Sequence, residues 1–146
     1  MLQIMIINGP NLNLLGSRET DIYGGQTFED FFMSLQGSYK EEIAFTYQQS
    51  NVEGEIVNLI QDADKTNDGI ILNAAAYTHT SVAIADAIAA ISTPTIEVHI
   101  SNIYTREEFR KTSLTAANCI GVITGLGLNG YSLAAQHFLH LASKTS

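Results

Sequence analysis

The sequence predicts an α/β fold in which a parallel β-sheet carries helices on both faces. Two observations lead to this prediction. Five short apolar runs, rich in β-branched residues, recur along the chain, and the segments between them have helical periodicity or helix-capping residues. Strands that alternate with helices pair in parallel, since a helical crossover returns the chain to the same edge of the sheet. The apolar runs are residues 3–8, 43–48, 69–73, 95–99 and 119–124.

The segments between the runs predict the helices in order. Thr27 is a suitable N-cap, with Asp30 three residues further on, and an apolar pattern typical of a first helix follows. Residues 51–66 have one apolar face and acidic residues near the start, where the helix dipole favours them. Residues 81–91 are rich in Ala and Ile all round, which predicts burial on more than one side. The last helix is expected over residues 129–142, and one or two short helices over residues 104–117.

Five strand–helix units in 146 residues predict a single domain, residues 1–146, with a flavodoxin-like doubly wound fold. The expected strand order is 2-1-3-4-5. In this architecture ligands bind outside the carboxyl ends of the strands, at the switch point between strands one and three. The loops to search for a site therefore follow Ile7, Asn73, His99 and Thr124.

Composition and charge exclude several classes of function. The net charge of −8 argues against a nucleic acid or an anionic membrane as partner, because both require a basic surface. The apolar runs are too short to span a bilayer, and the first residues enter a strand without a basic leader, so a cytoplasmic protein is expected. Cys119 is the single cysteine and forms no internal disulfide, and its apolar surroundings predict a buried core thiol.

Chemically active side chains gather at the predicted ligand edge of the sheet. All three arginines of this acidic chain map there, and arginine suits bidentate recognition of a carboxylate or a phosphate. Alternatively, Arg106 and Arg110 pair with Glu107 and Glu108 on a solvated helix. The candidates are Asn11, Arg18 and Tyr23 after the first strand, Asn73, His79, Ser81 and Asp86 after the third, and Glu97, His99, Ser101, Arg106 and Arg110 in and after the fourth.

Two pairs among these candidates indicate acid–base chemistry. Glu97 and His99 are two residues apart on one strand and face the same side, and a carboxylate beside an imidazole orients it and favours the protonated form that a general acid needs. The alternative is a hydrogen-bonded core histidine. Tyr23 is reactive only if its phenol ionises, and the guanidinium of Arg18 is the local group that could lower its pKa. The alternative is a surface loop with an Arg and a Tyr of no chemical role.

Other patterns carry less weight. Gly125, Gly127 and Gly130 form a G-x-G-x-x-G pattern, but it follows the last strand with no further strand or ribose-binding acid, so we interpret it as a tight connection. No metal site is expected, because the histidines are dispersed and the cysteine has no partner at ligand spacing. His137 and His140 are interpreted as structural or exposed.

Five blocks of sequence extend over nearly the whole chain: residues 8–24, 49–57, 73–87, 96–110 and 125–134. In these blocks, and in their order, the chain resembles type II 3-dehydroquinate dehydratases. The resemblance implies the flavodoxin-like fold and a cofactor-free dehydration of 3-dehydroquinate to 3-dehydroshikimate, which belongs to the shikimate pathway of aromatic amino acid biosynthesis. It also implies a homo-oligomer, a dodecamer built of trimers.

The resemblance also implies residue roles. Tyr23 resembles the base that removes a proton next to the ketone, and Arg18 the cation that keeps Tyr23 ionised. Asn11 resembles the residue that holds a water against the developing enolate oxygen. His99, oriented by Glu97, resembles the acid that protonates the departing hydroxyl. By the same resemblance, residues 15–23 form a mobile lid, and the substrate-binding set is Asn73, His79, Asp86, Ile100, Ser101 and Arg110.

Three positions depart from the family pattern, and one rival class shares the fold. Thr20 stands where Pro is expected, Ala85 where Arg is common, and Tyr104 where His is common. The rival is a flavodoxin-like nucleotide-binding or receiver domain. Strands one and three end in asparagine rather than in the aspartates a receiver needs, and Pro10 removes an N–H from a phosphate-cradling loop.

Overall fold

The computed structural model describes residues 1–16 and 25–145, of Thr145 the backbone only. Its parallel sheet has the strand order β2-β1-β3-β4-β5, which confirms the predicted flavodoxin-like topology. The run from Cys119 pairs only from Gly121 onward. The strands are Leu2–Asn8 (β1), Ile43–Gln49 (β2), Gly69–Asn73 (β3), Thr95–His99 (β4) and Gly121–Thr124 (β5).

Helices cover both faces of the sheet. In the described part of the chain they are Phe28–Ser38 (α1), Glu53–Thr66 (α2), Val82–Ala90 (α3) and Asn129–Thr145 (α4), with short 3₁₀ turns at Leu12–Leu14, Ala75–His79, Ile103–Thr105, Glu108–Lys111 and Ala116–Asn118. Thr27 caps α1 as predicted, because its Oγ1 accepts the Asp30 N–H at 3.2 Å. None of these helices is long and apolar enough to cross a membrane.

The start of α2 differs from the prediction for a physical reason. The helix begins at Glu53 with Val52 as N-cap, not at Asn51. The Asn51 side chain is engaged elsewhere, since its Oδ1 accepts the Asn11 N–H at 3.0 Å and a Gln49 Nε2–H at 3.1 Å. The residue that could have capped the helix instead ties the end of β2 to the loop that follows β1.

Two apolar clusters fill the space between the sheet and its helices. One joins the sheet to α1 and α4, and the other joins it to α2 and α3. β3 is buried along its whole length, so both faces of the sheet are covered at its centre. Gly69 lies so close to the Phe138 ring that an added Cβ would be 2.6 Å from it. Helix α4 therefore packs directly on the backbone of β3.

Helix α3 departs from the prediction of burial on more than one side. It buries Ile84 and Ile88 toward α2, but Val82 is 62% exposed and Asp86 is also exposed. No described element of the chain covers this outer face. Because Val82, Ala83, Ala89 and Ala90 surround Asp86 there, the uncovered face is mostly apolar.

Register brings the site-bearing strand ends together. Asn8 of β1 lies opposite Asn73 of β3, and His99 of β4 lies opposite Thr124 of β5. Beyond the strands, the Gly9 N–H donates to the Asn73 carbonyl at 2.8 Å. The loops after β1, β3 and β4 consequently leave the sheet side by side.

Candidate active site

A cavity of about 160 Å³ lies at the carboxyl ends of β1, β3 and β4. This is the edge at which a doubly wound sheet binds its ligands. Eight of the candidate residues named from the sequence line it: Asn11, Asn73, His79, His99, Ile100, Ser101, Arg106 and Arg110. Leu15, the first residue of the expected lid, also lines it, and sequence reasoning gave no role to the remaining lining residues, which are Pro10, Leu12, Leu14, Ala75, Ala76 and Ile103.

Glu97 and His99 form the predicted pair. The Glu97 Oε2 lies 2.8 Å from the His99 Nε2, and the two side chains are only 1% and 5% exposed. The other carboxylate oxygen, Oε1, accepts hydrogen bonds from the hydroxyls of Ser113, at 3.0 Å, and Thr115. A histidine bound to a carboxylate through Nε2 keeps Nδ1 available for a ligand. Glu97 itself lies behind His99 and does not line the cavity.

The hydrogen bonds around Glu97 decide its charge. Burial acts to raise the pKa of this carboxyl, but the hydrogen bonds from His99, Thr115 and Ser113 outweigh burial and hold the pKa below its ordinary value. Glu97 is therefore an anion at neutral pH. A buried anion that accepts several hydrogen bonds gives the imidazole a fixed, charged partner.

A second imidazole lies beside the first. The rings of His79 and His99 are nearly parallel, 22° apart, with 6.3 Å between their centroids. The His79 Nδ1 is 2.8 Å from the Thr112 carbonyl oxygen. Because a carbonyl oxygen can only accept a hydrogen bond, the proton must be on Nδ1, and the Nε2 of this ring is available to a ligand. Both histidines thus present one ring nitrogen that is not held by the described residues.

Two arginines place positive charge at the cavity. Arg106 and Arg110 both line it, and they also share Glu107: the Glu107 Oε1 is 3.0 Å from the Arg110 Nε and 4.0 Å from the Arg106 Nε. Both alternatives drawn from the sequence thus hold in part. A backbone hydrogen bond within Glu107 and the Arg110 guanidinium hold the pKa of Glu107 below its ordinary value. Guanidinium groups held by a carboxylate are oriented to bind an anion in the cavity.

Asn73 is supported from below. Its Nδ2 donates to the Tyr131 hydroxyl at 3.0 Å, and that hydroxyl donates to the Asn8 Oδ1 at 2.7 Å. The Asn73 Oδ1 accepts the Ala75 N–H at 3.1 Å. Because these bonds fix the amide, Asn73 presents a rigid surface to the cavity. The support from Tyr131 had no signal in the sequence, since the two residues are far apart along the chain.

The loop after β1 is held at its start. Asn11 has a left-handed backbone, with φ of 70°, and its N–H donates to Asn51. Gln49 Nε2 donates to the Gly9 carbonyl at 3.1 Å. These contacts from the end of β2 fix where Asn11 enters the cavity. Arg18, Tyr23 and Thr20 lie outside the described residues.

Two predictions need correction or comment. Asp86, predicted to bind substrate, is exposed on α3 and is not among the residues that line the cavity of its own chain. Cys119 was expected to be buried but is only half-buried, because it follows the 3₁₀ turn at Ala116–Asn118 rather than lying inside β5. Burial and the charge of Glu97 still raise the pKa of its thiol to about 12.

The remaining patterns carry no chemistry in the described residues. No three His, Cys, Asp or Glu side chains there are grouped to hold a metal ion. The glycine pattern forms the connection of β5 to α4, where Gly125 and Gly127 have φ of 87° and 64°. His137 and His140 are exposed on α4 and do not line the cavity.

The sheet and the cavity together define a class of protein. A doubly wound sheet whose ligand edge holds a buried carboxylate–imidazole pair, a second imidazole and two guanidinium groups is suited to acid–base chemistry on a small anion. That class is a flavodoxin-like enzyme. The rival receiver domain would require acidic side chains where this cavity has basic ones.

The family follows from comparison with known proteins. Residues 2–139 match the family described as Dehydroquinase class II. A protein of Fusobacterium nucleatum named 3-dehydroquinate dehydratase is 56% identical, covering 98% of this chain and all of its own length. A protein of Clostridium acetobutylicum, also named 3-dehydroquinate dehydratase, is 51% identical, and the match covers 98% of this chain and 100% of that protein.

Solved structures agree with the sequence matches. The crystal structure of the type II dehydroquinase from Butyrivibrio crossotus superposes with a TM-score of 0.91 at 46% identity, covering 94% of this chain and 97% of its own. The chain belongs to the class II dehydroquinase family. The resemblance stated from the sequence, and with it the prediction of an enzyme, are confirmed.

Proposed function

We propose that this chain removes water from 3-dehydroquinate to form 3-dehydroshikimate, as a hydro-lyase of the shikimate pathway that needs no cofactor. Membership of the class II dehydroquinase family supports this activity, and so do relatives that bear the name 3-dehydroquinate dehydratase over their whole length. The observation that carries the proposal at the level of chemistry is the buried Glu97–His99 pair, which opens onto a cavity lined by arginine.

The reaction divides between a base and an acid. The Tyr23 phenolate, kept ionised by Arg18, takes a proton from the carbon next to the ketone, and the electron pair of that C–H bond forms an enolate. Asn11 holds a water against the enolate oxygen, where a hydrogen-bond donor stabilises the charge as it develops. The enolate then expels the hydroxyl at the β-carbon, which leaves as water after protonation by His99.

The substrate carboxylate and hydroxyls account for the other residues. Ile100 and Ser101 begin the turn after β4 and line the cavity with Arg110, so a carboxylate there meets backbone N–H groups and a guanidinium together. Asn73, at the end of β3, and His79, in the loop that follows, offer polar atoms to the substrate hydroxyls. The amide of Asn73 is held rigid by Tyr131, which suits a residue that distinguishes hydroxyl positions.

A direct assay tests the activity. Purified protein is mixed with 3-dehydroquinate, and the absorbance of the conjugated product is followed against heat-denatured protein. We expect turnover in the native protein. Folded protein that forms no product would contradict the proposal.

Variants separate the two chemical roles. Tyr23→Phe should abolish turnover but leave substrate binding largely intact, and His99→Gln should lower kcat by about 10² to 10⁴-fold, the range of general acid–base catalysis. Arg18→Lys keeps the charge but not the planar fork, so a large fall in rate is expected. Tyr23→Phe with wild-type kcat would remove Tyr23 from the role of base.

The proposal extends to the assembly and its location. We expect one catalytic domain per chain, twelve chains as a dodecamer of trimers, and a cytoplasmic enzyme, in agreement with a chain that has one cysteine. The uncovered apolar face of α3 supports a subunit contact. Asp86 lies in that face and away from its own cavity, so its proposed role in substrate binding is assigned to the cavity of a neighbouring subunit.

A further inference from the structure

The segment that follows the turn at Glu108–Lys111 contacts His79 directly and reaches His99 through Glu97. The Thr112 carbonyl accepts a hydrogen bond from the His79 Nδ1–H at 2.8 Å. Ser113 and Thr115 give their hydroxyls to the Glu97 Oε1, and the Oε2 of the same carboxylate binds the His99 Nε2. The segment is anchored in turn, because the Leu114 N–H donates to the Thr78 carbonyl at 2.8 Å.

The direction of these hydrogen bonds is fixed by the backbone. The Ser113 Oγ lies 3.3 Å from the Thr115 N–H and 3.0 Å from the Ala116 N–H, so its lone pairs are taken by two donors. A hydroxyl has a single proton to give, and for Ser113 the nearest acceptor is the carboxylate, at 3.0 Å. The Thr115 hydroxyl, which is fully buried, also donates to the same oxygen.

The consequence lies in how Glu97 is shared. Two hydroxyls donate to Oε1 and fix the orientation of the Glu97 carboxylate. The other oxygen, Oε2, then forms the hydrogen bond with His99. A partner fixed in this way sets both the ring orientation and the nitrogen that faces the cavity. We propose that Thr115 and Ser113 are positioning residues of the reaction, which hold Glu97 so that His99 presents its Nδ1 to the substrate.

This inference rests on the proposed function for its kinetic consequence, but not for its structural one. A purely structural role would have the hydroxyls do no more than compensate a buried charge, and their loss would then change stability alone. A positioning role would also change kcat and its dependence on pH. The charged or titratable groups that face the pair among the described residues are His79, Arg106 and Arg110 in the cavity, with Cys119 behind Glu97.

The central variant is Thr115→Val, which keeps the side-chain shape and removes the hydroxyl. Thr95→Val is the matched control: Thr95 is a buried threonine two residues before Glu97 on β4, and its hydroxyl has no partner in the described part of the chain. We expect Thr115→Val to lower kcat about tenfold or more while KM stays within about twofold, since general acids contribute 10² to 10⁴-fold. Thr95→Val should match the wild type, and Thr115→Ser should recover most of the lost rate.

The pH profile gives a second kinetic readout. Removing a hydrogen bond from the Glu97 carboxylate raises the pKa of that group, so Glu97 becomes protonated at a higher pH. The acidic limb of kcat should therefore move to higher pH in Thr115→Val and, to a smaller extent, in Ser113→Ala. It should stay unchanged in Thr95→Val.

Nuclear magnetic resonance tests the inference without substrate. In protein labelled with ¹⁵N-histidine, long-range proton–nitrogen spectra report which ring nitrogen carries the proton, and His99→Gln assigns the signal among four histidines. We expect an Nε2–H signal of His99 that Thr115→Val broadens or shifts and Thr95→Val leaves in place. If the wild type fails to dehydrate 3-dehydroquinate, the proposed function fails, while these spectra still decide the positioning role.

Two results would overturn the inference. One is a folded Thr115→Val protein with wild-type kcat, pH profile and His99 signal. The other applies if Thr115→Val does not fold, in which case Ser113→Ala, with Thr115 intact, is the test variant. A Ser113→Ala protein in which the pH profile of kcat and the His99 signal are both unchanged would then contradict the proposal.

Discussion

The pKa of the Cys119 thiol is set by partial burial and by a neighbouring negative charge. The thiol is half-buried, and desolvation and the nearby Glu97 carboxylate raise its pKa to about 12. Thiolate is the reactive form, so a thiol with such a pKa is almost inert at neutral pH. We expect native protein at pH 8 to react with a thiol-specific disulfide reagent far more slowly than protein unfolded in guanidinium. Rapid and complete labelling of the native protein would contradict this.

Glu97 makes stability depend on pH in a definite direction. Its pKa in the folded protein lies below the ordinary value of 4.5, because hydrogen bonds from His99, Thr115 and Ser113 outweigh desolvation. The unfolded chain therefore binds this proton more tightly, and the stabilisation, complete above the ordinary pKa, is lost as pH falls through the folded pKa. We expect urea midpoints to fall between pH 6 and pH 3, and to fall less steeply in Glu97→Gln.

A control separates this group from the other carboxylates. Glu41→Gln removes an exposed carboxylate in the turn before β2, where no comparable hydrogen-bond network exists among the described residues. Its urea midpoints should follow the wild-type slope with pH. Equal slopes for Glu97→Gln and the wild type would mean that Glu97 does not contribute to the acid sensitivity of the fold.

At the level of elements, the ends of β1 and β3 pack backbone against backbone. A Cβ at Gly9 would be 2.5 Å from the Ala74 carbonyl oxygen, and both residues enter loops that line the cavity. We expect Gly9→Ala to lower the free energy of unfolding by about 1–3 kcal/mol, as overpacking does. Its kcat should fall as well, because the loops after β1 and β3 are forced apart.

A second glycine provides the matched comparison. Gly37 lies inside α1, and a Cβ there would meet nothing within 4 Å. Gly37→Ala should raise the free energy of unfolding by about 0.5–1 kcal/mol through helix propensity, with unchanged kcat. Thermal or urea unfolding of the two variants checks both signs. Similar stability for the two alanine variants would show that the close approach at Gly9 is not limiting.

Helix α4 reaches the strand ends through one hydroxyl. Tyr131 is fully buried and its hydroxyl joins Asn8 to Asn73, so Tyr131→Phe leaves two buried amides with fewer partners. We expect a loss of about 1–3 kcal/mol in the free energy of unfolding and a higher KM, since Asn73 lines the cavity. Tyr104→Phe, at an exposed side chain, should change neither quantity. A wild-type KM in Tyr131→Phe would remove this support from the site.

The sequence predicted the elements well because their patterns are local. The strand runs and the Thr27 cap depend on neighbours a few residues away, and both are found in the structure. The Glu97–His99 contact was also predictable, since residues two apart on a strand share a face. The contacts that could not be predicted join residues far apart in the sequence. Ser113 and Thr115 bind Glu97 from more than a dozen residues away, and no sequence spacing is characteristic of a hydroxyl–carboxylate contact.

Errors of prediction also have physical causes. Helix α3 has the composition of a helix that is buried all round, but the described residues of its own chain cover only one of its faces. The sequence therefore predicted burial of a surface that a single chain leaves exposed. Arg106 lines the cavity although its spacing equally suited a surface ion pair, and the structure has both contacts. When a side chain can both pair with a neighbouring charge and line a cavity, the sequence alone does not tell which contact it makes.

For the whole molecule, the sign of the charge differs between surface and cavity. The chain has a net charge of −8, yet two arginines and two histidines line the cavity. A cationic cleft in an acidic body concentrates field lines at its mouth, which favours entry of a small anion and disfavours polyanions. Salt should therefore weaken capture of a carboxylate substrate more than it weakens the fold.

The location of Asp86 leads to the sharpest prediction about assembly. In its own chain it is exposed among the apolar residues of α3, while His99 lies in the cavity. If a cavity draws His99 from one subunit and Asp86 from its neighbour, each of His99→Gln and Asp86→Ala should be nearly inactive alone. Mixed oligomers should regain activity, since some cavities then receive both native residues, about a quarter of them in an equal random mixture.

The measurement uses co-expressed variants carrying different tags, so that mixed oligomers are isolated by sequential affinity purification. The specific activity of these mixed oligomers is compared with that of each variant alone. A second control mixes the two variants after separate purification, under conditions in which their subunits do not exchange. We expect recovery only in the co-expressed oligomers, whose mass by light scattering should be about 190 kDa, twelve chains of 15.8 kDa. Mixed oligomers without recovered activity would mean that Asp86 does not act across a subunit boundary, and a monomer mass would remove the boundary itself.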